Sequence, residues 1–237
     1  MPEARRTNTD SNWILQNLTR KDSALLAPEL ESVDLPLRRS LESRNRKIEH
    51  VYFLDSGFAS IVANGPHDRQ IEVGLIGREG MTGSTLAMGT DRSPNETYMQ
   101  QAGKGRRVKA AGFVRALEQC PGLRRSCLLF AHTLTIQTAH TAMANGRNKL
   151  EERLSRWLLM AHDRTDGDDL PITHEFLGLM LGTQRPGVTI AMNHLEQAGL
   201  IRARRGIVSI LDRAALEKTA AGAYGTPEAE LKRVFIQ

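Results

Sequence analysis

Cysteine is almost missing from this chain: Cys120 and Cys127 are the only two in 237 residues. Two thiols cannot staple a chain of this length, so a disulfide-built fold is excluded and a reducing compartment fits. Long apolar runs are missing too. No stretch approaches the ~18 residues a membrane-spanning helix needs, and Met1 to Asp10 is polar and charged, without the apolar centre of a signal peptide. The expected location is the cytoplasm, with no membrane partner. Catalytic signatures are also lacking: no Gly-x-Ser-x-Gly, Walker A, His-Glu-x-x-His or paired-Asp motif occurs, so an enzyme is not expected. Cys120, Cys127 and His132 fit no common zinc spacing, so no metal site is expected. His132 and His140, on one side of a helix, read as surface histidines before haem ligands.

What is present is an ordinary globular composition, 40% hydrophobic with 20 glycines, on a length that suits one large domain or two small ones. Basic residues exceed acidic ones, 32 to 27. That excess permits nucleic-acid binding without requiring it, so the placement of the charges must decide.

Residues 1 to about 45 carry short helical patterns around Trp13, Leu15 and Leu18, then Leu25, Leu26 and Leu30. From Ile48 the period becomes two and strands are expected to begin. Ile48–Leu54, Phe58–Ala63 and Gln70–Ile76 are separated by the turns Asp55-Ser56-Gly57 and Asn64-Gly65-Pro66-His67-Asp68. Short strands with regular turns suggest an antiparallel barrel or sandwich. After the Gly-rich stretch Gly77–Gly83, weaker strands lead to Val108. From Leu123 to Asp163 the pattern is helical, interrupted only at Asn145-Gly146. Cys127, Ala131, Leu134, Thr138, Thr141, Ala142 and Asn145 recur in steps of three and four. A helix this long is read as a dimer helix, with packing along its own barrel as the competing arrangement.

Ile172 to Leu211 is the most informative stretch. Thr173 precedes a helical face of Phe176, Leu177, Met180 and Leu181 that stops at Gly182. Thr183 can cap a second helix with Pro186 in its first turn, where a missing N–H costs little. Val188, Ala191, Met192 and Leu195 share that helix's buried face. The opposite face carries Gln184, Arg185, Pro186, Gly187, Thr189, Ile190 and Asn193. Two short helices across a glycine turn form a helix-turn-helix, whose second helix enters the DNA major groove. A wing follows: Leu200–Arg202 leads through Ala203-Arg204-Arg205-Gly206 to Ile207–Ile210. Residues 183–211 carry four arginines against Glu196 alone, whereas 147–182 carries more acids than bases. Burial does not account for Gln184, Arg185 or the wing arginines Arg204 and Arg205, so DNA binding is the favoured reading. The competing class is a ligand-binding or scaffold protein with a vestigial winged helix.

The run from Ile172 to Thr189, followed by Leu195-Glu196-Gln197-Ala198-Gly199-Leu200-Ile201, resembles the DNA-binding signature of the Crp/Fnr bacterial transcription regulators. The order of parts matches from about Ile48 to Leu211. The resemblance implies an α+β chain: an N-terminal antiparallel β-roll of cyclic-nucleotide-binding type (1–120), a central dimerisation helix (121–146) and a C-terminal winged helix-turn-helix (147–237). It implies a homodimer on double-stranded DNA, RNA polymerase as a partner, and a hinge near Gly146-Arg147-Asn148. Arg185 falls where the family reads guanine. Pro186 and Ile190 replace a glutamate and a basic residue, which departs from the usual half-site.

The resemblance also makes Gly77, Arg78, Glu79, Gly80, Met81, Thr82, Gly83 and Ser84 the candidate effector pocket. In the family a Gly-Glu element holds the ribose and an Arg-Ser or Arg-Thr pair holds the phosphate. Here Ser84 stands where the glutamate is expected, and Arg92-Ser93 runs into Pro94; the other register places Asn95-Glu96 at the phosphate. Cyclic AMP is therefore not the expected effector. Residues 1–119 lack the cysteine group of iron-sulfur members, so no cofactor is expected.

Overall fold

The computed structural model describes residues 12–66 and 69–236; the Met1–Asp10 segment and the His67-Asp68 end of the second turn lie outside the described residues. Two short helices come first, α1 (Trp13–Gln16) and α2 (Arg20–Leu26). Asn12 caps α1 through Oδ1 and donates Nδ2 to the carbonyls of Leu54 and Gly80, which ties this entry to the β domain.

The β domain follows: β1 (Glu31–Leu35), β2 (Ser40–Glu42), β3 (His50–Leu54), β4 (Phe58–Asn64), β5 (Gln70–Ile76), a single helical turn α3 (Ser84–Ala87), β6 (Glu96–Gln101) and β7 (Gly103–Lys109). The strands form two antiparallel sheets, ordered β1-β7-β3 and β2-β6-β4-β5. Leu35, Val51, Phe53, Ala59, Ile76, Met81 and Met99 fill the space between them, with α4 (Ala110–Gln119) adding Phe113 edge-on to Phe53 at 6.2 Å. Strands thus begin at Glu31, ahead of Ile48. β1 is held by β7, about seventy residues away, and β2 by β6 through a bulge, so local periodicity marks neither.

The long helix α5 (Pro121–Arg147) runs through Asn145-Gly146 and ends at the extended Asn148 (φ −95°, ψ 147°). The break falls there because the Glu152 carboxylate accepts from Asn148 Nδ2 (2.7 Å) and Lys149 N (3.1 Å), which starts α6 (Leu150–His162). One face of α5 closes the open edge of β5. Gln137 Oε1 accepts from Leu75 N (2.6 Å), Gln137 Nε2 donates to Leu75 O, and Thr138 Oγ1 donates to Val73 O (3.1 Å). Gly74 makes this approach possible, since a Cβ there would sit 3.0 Å from Gln137 Oε1.

The winged helix comprises α6, β8 (Asp169–Leu170), α7 (His174–Met180), α8 (Arg185–Gln197), β9 (Ile201–Arg204), β10 (Ile207–Ile210) and α9 (Arg213–Thr219), with sheet order β8-β10-β9. Its core is continuous with the β domain. Phe58, Trp157 and Phe176 stack edge-on in series at 6.4 and 5.8 Å. The final helix, α10 (Thr226–Phe235), leaves the winged helix and packs Leu231, Val234 and Phe235 against the β-domain core. The 147–237 segment is thus anchored to the N-terminal part at both ends. No helix among the described residues is long and apolar enough to cross a membrane.

At the junction Glu72 is buried and accepts from Ser60 Oγ and Trp157 Nε1, both at 2.6 Å. Burial pushes its carboxyl up to about 7, against the two hydrogen bonds and the guanidinium groups of Arg156 and Arg164. Below pH 4.5 folded and unfolded chains both hold this proton. Between pH 4.5 and 7 only the folded chain does, so stability falls as pH rises through that window, by about 3 kcal/mol from this group. Glu72→Gln keeps both hydrogen bonds and removes the titration. Denaturant melts across pH 5–8 are expected to give a flatter profile for this variant; a slope equal to wild type contradicts the assignment.

Candidate nucleic-acid interface

The turn between α7 and α8 is built for close crossing. A Cβ at Gly178 would lie 3.0 Å from Thr183 O, and Gly182 takes φ +58°. Thr173 caps α7, its Oγ1 accepting from Phe176 N. The expected cap at Thr183 moves one residue on: Gln184 is the N-cap of α8, without a side-chain bond, and Pro186 occupies the first turn. Thr183 instead uses its backbone, donating N–H to Gly178 O.

Val188, Ala191, Met192 and Leu195 are buried. Gln184, Arg185, Pro186, Ile190 and Asn193 are exposed on the opposite face, Ile190 at 56%. Gly187 and Thr189 are half-buried, the first against Leu150 and the second bonding Arg185 O and His174. Beside this face β9 and β10 project a hairpin that turns at Arg205-Gly206, with Gly206 at φ +76°. Glu196 is occupied within the module, accepting from Ala203 N at 2.9 Å. Arg185, Arg202, Arg204 and Arg205 are exposed and have no acidic partner among the described residues. By contrast, Arg164 and Arg213 are both paired with acids. An exposed helix N-terminus with a free guanidinium, flanked by a basic hairpin, suits a phosphate-lined groove with base edges inside it.

Residues 152–219 match the Crp-like helix-turn-helix domain. That stretch is a Crp-like helix-turn-helix domain. Among solved structures, a protein assigned as a Crp/Fnr regulator from Eubacterium rectale is 16% identical, covering 88% of this chain and 98% of its own at TM-score 0.69. FixK2 of Bradyrhizobium japonicum is 14% identical, covering 82% and 99% at 0.70. A CRP-family regulator of Thermus thermophilus is 20% identical, covering 81% and 98% at 0.65. At these identities the likeness is one of fold. No curated protein matches the chain in sequence.

Two expectations need correction. The first concerns the stripe on α5. Cys127 is buried with its Sγ 3.5 Å from Met81 Sδ, Leu134 lies 3.1 Å from the Cβ position of Gly74, Thr138 bonds β5, and Thr141 bonds Gln137 O. Burial raises the Cys127 thiol to about 12, so it is inert. Cys127, Leu134 and Thr138 thus turn toward the chain's own β domain. Asn145 is held by Arg153 Nε at 3.0 Å, which leaves Ala131 and Ala142 of that stripe at the outer side. The exposed face is rotated by about a quarter-turn and carries Leu128, Thr135, Ala139, Ala142, Met143 and Gly146.

The second concerns Gly77–Ser84, which is packed shut. A Cβ on Gly80 would meet the Phe130 ring at 2.2 Å, and one on Gly83, itself at φ +70°, would meet Val51 at 2.9 Å. Met81 and Thr82 are buried, Thr82 Oγ1 accepting from Tyr52 N; Ser84 opens α3. Arg78 reaches outward to Asp166 at 2.7 Å. Glu79 is buried and accepts from Gly77 N and from Arg164 of the DNA-binding module at 2.7 Å. The space left between this turn, α5 and α10 is about 10 Å³, about one water molecule. Arg92-Ser93 lies ahead of β6 with Arg92 beside Asp91, not on a strand aimed inward. Sequence reasoning missed Arg164, because nothing local links it to a glycine turn 85 positions earlier.

Proposed function

We propose that the protein acts as a homodimeric, sequence-specific transcription regulator: α5 pairs two copies, α8 reads DNA, the β domain is the regulatory part, and RNA polymerase is a further partner. The observation that carries the reading is Arg185, exposed and uncompensated at the first turn of α8. Arg185 takes the base contact, with Gln184, Thr189, Ile190 and Asn193 along the same groove. Arg204 and Arg205 hold phosphate. The outward stripe on α5 supports the pairing, because Ala139, Ala142 and Gly146 let a second helix approach closely while Leu128 and Met143 supply apolar area.

Arg185→Ala is expected to lose about 1–3 kcal/mol on the selected site and to relax preference at one base pair. Arg204→Ala or Arg205→Ala should instead weaken specific and random duplexes alike and lower the salt slope by about one unit. Anisotropy titrations on both duplexes check this. An equal loss on both from Arg185→Ala refutes the assignment.

The closed Gly77–Ser84 turn supports a regulator whose effector is not cyclic AMP. Calorimetry is expected to give no saturable heat with that nucleotide. Tight binding coupled to stronger DNA binding would overturn this.

A further inference from the structure

Beyond Arg185 the outward face of α8 changes character. Pro186 and Ile190 stand one turn apart, at i and i+4, so they are neighbours on one side of the helix. Both are exposed, and Ile190 at 56% is among the most exposed large apolar residues of the described chain. The buried face does not use it: Val188, Ala191, Met192 and Leu195 carry the core contacts. Folding gains nothing from it either. A β-branched side chain is a poorer helix former than alanine, and this one leaves its apolar area in water.

The same stretch offers few hydrogen-bonding groups to a groove. Proline has no N–H. The Thr189 hydroxyl is already engaged, donating to Arg185 O (3.1 Å) and lying 3.2 Å from His174 Nδ1. Gly187 has no side chain and is half-buried against Leu150. Between Arg185 and Asn193 the outward surface is therefore an apolar strip, continuous with a guanidinium at one end and an amide at the other.

One group in the major groove suits such a strip. Base edges there present hydrogen-bond donors and acceptors, and thymine alone adds an apolar C5-methyl. Set against a G·C pair, Ile190 would strip water from the cytosine amino group or the guanine acceptors without replacing it. Set against thymine, it buries apolar surface on both sides. Five residues at about 1.5 Å each put Ile190 about 7.5 Å along the helix from Arg185, roughly two base-pair steps of about 3.4 Å. We infer that Ile190, flanked by Pro186, determines specificity by packing on the C5-methyl of a thymine about two base pairs from the guanine read by Arg185; this rests on the reading of α8 proposed above. The half-site then combines a guanine chosen by hydrogen bonds with a thymine chosen by shape, and 5-methylcytosine at the second position presents the same methyl group.

The test uses the full chain and the site recovered by selection, which should hold a thymine within about two base pairs of the guanine whose preference Arg185→Ala relaxes. Replacing that thymine by deoxyuridine in both half-sites removes two methyl groups and leaves every donor and acceptor in place. Wild type is expected to bind the deoxyuridine duplex about fourfold less tightly per half-site, roughly fifteenfold in all, from the loss of one buried methyl in each. Ile190→Ala should show at least that loss on the thymine duplex and be indifferent to the exchange. Its melting temperature should hold or rise, because alanine is the better helix former at an exposed position. With a cytosine in place of the thymine, methylation at C5 should strengthen wild type and leave Ile190→Ala unchanged. Equal affinity of wild type for the thymine and deoxyuridine duplexes overturns the proposal, as does a selected site without thymine in that window. So does an Ile190→Ala protein that loses as much as wild type on the exchange. None of these results touches the reading of α8 where Arg185→Ala still relaxes the guanine; a wild-type chain that does not distinguish its selected site from random DNA sinks both.

Discussion

Ala139→Glu is expected to turn the protein into a folded monomer whose affinity for its selected site is about 10² to 10⁴-fold weaker. Ala139 is exposed on the outward face of α5, between Thr135 and Ala142, so a glutamate there, itself a good helix former, disturbs no internal contact. In a pair of α5 helices it would bring two carboxylates together across a seam of small residues, at a cost of several kcal/mol. Loss of pairing removes the second reading helix, and with it the gain from binding two half-sites at once. Sedimentation and anisotropy on one preparation check both effects. A dimer of unchanged affinity would move the pairing surface off this face. Thr138→Glu distinguishes the two faces of the helix: it breaks the hydrogen bond to Val73 O and is expected to destabilise the chain itself.

Arg164→Met is expected to cost about 3–5 kcal/mol of stability at neutral pH, enough to lower the melting temperature by roughly 10 °C in a chain of this size. Arg164 and Glu79 are each 5% exposed at the side chain and lie 2.7 Å apart. Removing the guanidinium leaves a buried carboxylate with only the Gly77 N–H for compensation. The double variant Arg164→Met/Glu79→Gln removes the orphaned charge and is expected to recover most of the loss, since a buried pair and a neutral replacement of similar volume are close in energy. A double variant as unstable as the sum of its parts would mean that the two residues act separately. The pair also joins the end of α6 to the glycine turn, so its loss should loosen the DNA-binding module from the β domain.

The helix-turn-helix could be read from sequence because its instructions are local. Val188, Ala191, Met192 and Leu195 mark one face within two turns, and Gly182, Pro186 and Gly199 punctuate the ends. Charge did the rest, since four arginines within 29 residues had no acid but Glu196 to meet. The outward face of α5 lies about a quarter-turn from the stripe that periodicity marks, for a physical reason. Threonines and alanines occupy both of its sides, so periodicity alone does not tell the face that β5 needs from the face left open; Gln137 and Thr138 decide it by bonding backbone 62 to 65 positions away. The same distance problem hid β1, β2 and the return of α10. It also made Gly77–Ser84 look like a pocket. Glycines there announce a close approach, but the approaching groups, Phe130 and Arg164, come from remote helices.

The central claim is that two copies of this chain read DNA through Arg185. Selection of sites from fragments of its own genome, followed by footprinting, tests it most directly. The account predicts a two-fold symmetric site with half-sites one helical turn apart, roughly 34–36 Å, and with the preference at one base pair of each half lost for Arg185→Ala. Recovery of no common site, or protection that is as strong on random DNA and as sensitive to salt as non-specific binding, would contradict it.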